Sequence, residues 1–262
     1  MIDFIIGYLC QLLFTVGMIA LFGFIIAGLR RVFCIICGRS GAAILLATGI
    51  IGTPIHELSH ALMCVIFGHK IKEIKLYQPS GRGGALGYVT HTYNRKNIYH
   101  QIGNFFIGIA PIVFGSGVLV LTMGILLPDS FELMMSEIEG ISELGDFFPF
   151  IPEMIEAIFL DSFDAWQTWV FLVLAIMIAS HMEMSGADIK GSLGGLGILT
   201  LLWLIVSGVI FFVSDSLFED ITSACASFAL IISAFFSIAI IFLLIMVLIA
   251  LIIKLITAPF RR

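Results

Sequence analysis

Apolar residues in this chain fall in long unbroken blocks, with polar segments between them. Six blocks can be traced, at about residues 4–29, 41–67, 102–127, 165–182, 193–213 and 228–253. Each is close to the roughly 20 apolar residues that a helix needs to cross a bilayer. The blocks do not alternate, so a transmembrane barrel is excluded. Residues 69–100 are polar and basic. There, 80–84 reads as a Gly-rich turn, and 85–93 sets Leu86, Tyr88, Thr90 and Thr92 against Gly87, Val89, His91 and Tyr93, the period of a strand. The pattern predicts an all-α polytopic membrane protein, one membrane domain over 1–262, with about six transmembrane helices and a short β-hairpin or strand insertion after the second.

Composition agrees. Of 262 residues, 60% are hydrophobic and only 12% are charged, with 13 Lys and Arg against 18 Asp and Glu. A soluble domain carries about twice that charge. An ordinary soluble protein, a disordered chain and a nucleic-acid binder with a basic footprint are all excluded. Five scattered cysteines, Cys10, Cys34, Cys37, Cys64 and Cys225, do not form a disulfide framework. The lone Cys34-x-x-Cys37 reads as two small residues near an interface before it reads as a redox or metal motif.

Charge placement gives an orientation. Lys and Arg mark the cytoplasmic side, while acids contribute little. Lys190, Lys254, Arg261, Arg262 and the 69–100 segment then lie inside. Residues 128–164, with ten acids and no Lys or Arg, form an acidic loop outside, as does the short acidic loop of Asp215, Glu219 and Asp220. This is the expectation for a multi-pass protein of the cytoplasmic membrane with its C-terminus in the cytoplasm. The first block, closed by Arg30 and Arg31, reads as a retained helix and not a cleaved signal. The first two blocks do not satisfy the charge rule. Either the second, interrupted at Pro54, does not cross simply, or the rule fails locally. Thr53-Pro54 reads as a helix start, with Thr53 as cap and Pro54 in the first turn, and a break there would admit water.

The second block holds His56-Glu57-Leu58-Ser59-His60. On a helix, positions four apart share a face, so both imidazoles can meet one ion. Glu57 can then reach a water bound to it. Zinc (Zn2+) suits imidazole and carboxylate donors, and it acidifies its water so that a carboxylate can take the proton. Three ionisable groups in an apolar run each cost about 2 kcal/mol or more unless something compensates them. A shared dication compensates all three. Along the helix, His60 and His56 lie roughly 10 and 16 Å from the end of the block, inside the bilayer but nearer one face. A catalytic zinc takes three protein ligands. The candidates for the third are Asp188, between Gly186 and Gly191, and His181 or Glu183. His181, Ser185 and Asp188 share one face if the helix survives Gly186.

These residues resemble the site-2 protease family of intramembrane zinc metalloproteases. The resemblance rests on His56-Glu57-Leu58-Ser59-His60 in an early span, on Gly108, Pro111 and Gly115 in a later one, and on Asp188, over about residues 41–191. The family usually shows Asp-Gly at the third ligand, where this chain has Asp188-Ile189. The resemblance implies His56, His60 and Asp188 as zinc ligands, Glu57 as general base, and a substrate that is a membrane protein with a transmembrane helix lying in the lipid bilayer. Such a helix must unwind to be cut, and an exposed strand can capture it by main-chain pairing. Tyr88, Val89 and Thr90, in the middle of 85–93, are the candidates. Asn104 is a candidate donor to the scissile carbonyl, or alternatively a helix cap. Two other functions fit less of the sequence. A divalent-metal transporter would spread acids and histidines over several helices, and an inactive zincin-like scaffold would not need an intact motif.

Overall fold

The computed structural model describes residues 1–79, 85–140, 152, 153, 155, 156 and 164–257. The expected turn at 80–84, most of the apolar stretches between 147 and 160, and Arg261 and Arg262 lie outside the described residues. The first block forms α1 (Ile2–Leu12) and α2 (Met18–Cys37), joined without a break by one π-helical turn at Leu13–Gly17. Gly38, at φ 56°, turns the chain directly into α3 (Arg39–Ile66). After α3 come β1 (Lys70–Lys75) and β2 (Tyr88–Thr92), an antiparallel pair that sets Ile74 opposite Val89 and Ile71 opposite His91.

The remaining elements are α4 (Ile98–Leu126), α5 (Pro128–Gly140), α6 (Trp166–Ala179), α7 (Gly186–Val213) and α8 (Asp215–Thr257). Among the described residues, five helical stretches are long and apolar enough to cross a membrane: Ile2–Cys37, α3, α4, α7 and α8. The fourth apolar block, 165–182, yields only the 14-residue α6.

Several expectations are corrected. Pro54 does not start a helix, because α3 runs through it. In an apolar bundle the neighbours re-cover the one backbone bond that a proline removes. The acidic segment from 128 is helical up to Gly140, with Ser130, Met134 and Ile138 buried. The acids Asp215, Glu219 and Asp220 stand in the first turns of α8, where the helix dipole favours them, and not in a loop. α4 begins at Ile98, with Asn97 as its cap. The Asn97 side chain accepts from the N–H groups of Tyr99 and His100 at 2.9 and 3.4 Å, so Asn104 is not the cap.

The core lies between α4, α6 and α8, around Leu119, Met123, Phe171, Ile178, Ala239 and Phe242, with the Phe171 and Phe242 rings edge to face at 5.5 Å. Large apolar side chains such as Leu201, Val209, Phe212 and Leu248 face outward, as a lipid-solvated surface requires. α4 and α7 pack backbone to backbone. A Cβ on Gly108 would stand 2.8 Å from the Asp188 carbonyl oxygen, and one on Gly195 would stand 2.8 Å from the Phe105 nitrogen. This contact fixes the start of α7 on α4, with Asp188 3.4 Å from His60 of α3. Among the other glycines of the block, Gly103 meets Phe67 and Gly115 meets Met182, while Gly117 faces open space.

Candidate metal centre

His56 and His60 stand one turn apart on α3 with their Nε2 atoms 3.1 Å from each other. The Nδ1 of His56 donates to the backbone carbonyl of His181 at 2.8 Å, and the Nδ1 of His60 donates to that of Ile107 at 2.7 Å. A carbonyl can only accept, so in the neutral rings both hydrogens sit on Nδ1 and both Nε2 atoms are bare. The two acceptor carbonyls are free for local reasons. Ile107 lies four residues before Pro111, which has no N–H to offer it. His181 follows the end of α6, beyond the helical ladder.

The third group is Asp188. It sits in the first turn of α7, in a reciprocal capping box with Ser185. The Ser185 N–H donates to Asp188 Oδ2 at 2.8 Å, and the Asp188 N–H donates to Ser185 Oγ at 3.1 Å. Its Oδ1 lies 3.4 Å from His60 Nε2 and its Oδ2 lies 3.9 Å from His56 Nε2. One donor atom from each of His56, His60 and Asp188 lies within 4.8 Å of the others. Two bare imidazole nitrogens and a carboxylate therefore face one another with only lone pairs between them. That arrangement is repulsive unless a cation sits among them, and two imidazoles with one carboxylate are a donor set that zinc accepts, with a fourth position left open.

The other candidates are placed elsewhere. The His181 ring turns to Thr48 and Thr53, at 3.0 and 3.4 Å, and contributes only its carbonyl. Glu183 is ion-paired with Arg30. His181, Ser185 and Asp188 do not share one helical face, because α6 ends at Ala179 and α7 starts at Gly186. Asn104 is on α4, half-buried, three residues before Ile107.

Glu57 is buried, at 6% exposure, and borders a cavity of about 370 Å³ together with Arg30, His56, Gly87, Glu183 and Ser185. Because α3 is unbroken at Pro54, the break expected there as a route for water is absent. Gly87, just before β2, covers the carboxylate. A Cβ there would stand 2.7 Å from Glu57 Cγ and 2.8 Å from the Lys75 carbonyl oxygen, so only glycine lets the strand approach this closely. The hairpin is held to α3 by Tyr77, whose hydroxyl donates to the Leu46 carbonyl at 2.8 Å. Within it, Tyr88 donates to Glu73 at 2.9 Å, while Val89 and Thr90 pair with β1. Sequence reading did not find Gly87 or the two carbonyls. The one available signal was Pro111, which marks a carbonyl released four residues earlier.

No curated protein and no solved structure matches the chain. Residues 49–190 match the model of the family described as "Putative zincin peptidase", and because that stretch is more than half of the chain and carries His56, Glu57, His60 and Asp188 together, the chain belongs to that family.

Proposed function

We propose that this protein is an intramembrane zinc endopeptidase that hydrolyses peptide bonds in or near the transmembrane segments of other membrane proteins. One observation carries the reading. Two bare imidazole nitrogens and the Asp188 carboxylate converge beside a buried glutamate that, with His56, borders a cavity between α3, the hairpin and the 181–185 stretch. His56, His60 and Asp188 hold the ion. When bound, zinc supplies a water acidic enough to ionise near neutral pH and a Lewis acid for the peptide carbonyl. Glu57 takes the proton of the attacking water and delivers it to the leaving nitrogen, which balances the hydrolysis.

An unwound substrate segment pairs with the strand that runs from Gly87 through Tyr88, Val89 and Thr90, which lays its backbone alongside Glu57. Asn104 donates a hydrogen bond to the scissile carbonyl. The protein sits in the cytoplasmic membrane with its C-terminus inside, as its Lys and Arg residues favour.

The test compares wild type with Glu57→Gln, in detergent and in liposomes, on a reporter with one transmembrane helix. Zinc content is read by metal analysis and the cleavage position by mass spectrometry. The expected result is equal zinc in both proteins, and cuts at the membrane segment by wild type alone. Undiminished cleavage by Glu57→Gln, or cleavage confined to soluble, unfolded chains, would overturn the proposal.

A further inference from the structure

A second group of donors lies at the far end of α3, outside the cavity just described. We propose that Cys64, His69 and His91 form a second divalent-metal site of the zinc class, one that clamps the β-hairpin to the end of α3. One donor atom from each of the three lies within 4.8 Å of the others. Zinc with ordinary Zn–S and Zn–N bonds holds its ligand atoms roughly 3.3–3.7 Å apart. The wider separations therefore need to shorten by about 1.5 Å at most, while the two Nδ1 atoms, 3.0 Å apart, spread slightly.

The backbone brings the first two ligands together. Gly68, at φ 68°, ends α3, and the His69 N–H donates to the Cys64 carbonyl at 2.8 Å while the Gly68 N–H donates to the Val65 carbonyl at 3.1 Å. This is the Schellman closure, whose longer bond spans six residues. It folds His69 back over Cys64, which is fully buried. The register of the hairpin supplies the third ligand, with His91 on β2 opposite Ile71.

The ring of His69 is fixed as metal-binding rings are. Its Nε2 donates to the His100 carbonyl at 2.8 Å, and the Tyr93 ring stacks on it at 4.9 Å. That carbonyl can only accept, so neutral His69 has a bare Nδ1, the atom that faces His91 Nδ1 at 3.0 Å. His56 and His60 follow the same rule, one nitrogen on a backbone carbonyl and the other turned into a cluster. Such carbonyl-oriented imidazoles are the usual support of zinc ligands. On binding, Cys64 loses its thiol proton, the His91 hydrogen moves to Nε2, and the ion takes the place of the hydrogen shared by the two Nδ1 atoms. Three protein donors leave a fourth position for water. The site joins α3, β2 and, through the His100 carbonyl, the first turn of α4. It thereby fixes the strand that presents Gly87 to Glu57. This assignment does not rest on the peptidase reading.

The full-length chain is purified with Cys34→Ser and Cys37→Ser as background, and loaded with zinc or with cobalt(II). The expected content is two ions per chain, with a thiolate-to-cobalt charge-transfer band in the near ultraviolet. His56→Ala removes one ion and keeps the band. Cys64→Ser removes one ion and the band. His91→Gln also lowers the content by one. Metal content unchanged by both Cys64→Ser and His91→Gln, or a band unchanged by Cys64→Ser, would overturn the proposal. Should Cys64→Ser fail to fold, absence of the band from the background protein is by itself sufficient to overturn it. Loss of the His56-dependent ion alone bears on the first site and leaves this assignment standing.

Discussion

Gln11 and His60 are both buried among apolar helices, at 1% and 6% exposure, yet their surroundings are opposite. Gln11, on α1, closes a network. Its amide nitrogen donates to Thr222 at 2.9 Å, and its oxygen accepts from Trp203 at 2.9 Å and from Ser207 at 3.0 Å. Donors and acceptors match, and the network ties α1 to α7 and α8. Around His60, acceptor faces acceptor, since two bare nitrogens meet a carboxylate. The first arrangement is complete in itself and is glue between helices. The second is complete only with a cation. In a lipid-solvated bundle, burial of a polar group does not identify a functional site, whereas an unbalanced donor–acceptor count does.

Four substitutions break or sharpen that contrast. Glu57→Gln leaves all three metal-facing groups in place, so cleavage should fall about 10²–10⁴-fold with zinc content unchanged. Gly87→Ala puts a methyl group against Glu57 and the Lys75 carbonyl. It should lower cleavage about 100-fold, again at full zinc content, because a displacement of about an ångström is enough. Pro111→Ala restores an N–H that competes for the Ile107 carbonyl and loosens His60, so zinc affinity should fall about 10–100-fold in chelator competition. Gln11→Leu should act on stability alone. It should lower the unfolding free energy in detergent by about 1 kcal/mol and leave zinc binding unchanged. If Gln11→Leu instead removed zinc, or Pro111→Ala left its affinity untouched, the contrast would be wrong.

What the sequence reveals follows the range of the interactions. His56, Glu57 and His60 were legible because a helical period of four places two of them on one face. The helical blocks were legible because apolar length is itself the signal. Asp188 could be proposed but not separated from His181 and Glu183, since that choice depends on where α6 stops and α7 starts. The carbonyls of Ile107 and His181 stand 47 and 125 residues from the rings they hold, and no local pattern encodes such a contact. Pro54 was misread because a proline looks alike in sequence whether a helix ends there or packed neighbours carry it through. Gly87 looked like one more position of an alternating strand, and its role is visible only once Glu57 lies beneath it.

The shortness of α6 carries one last consequence. Fourteen residues rise about 21 Å, against a hydrocarbon layer of about 30 Å. A helix starting at one face therefore gives out about a third of a bilayer early, and the chain from Ser180 to Ser185 continues at a depth where acyl tails offer its amides nothing. Lipid has to be kept off this stretch, by neighbouring protein or by water. The polar cavity beside His56, bordered by His181, Glu183 and Ser185, thus opens where one truncated helix gives out.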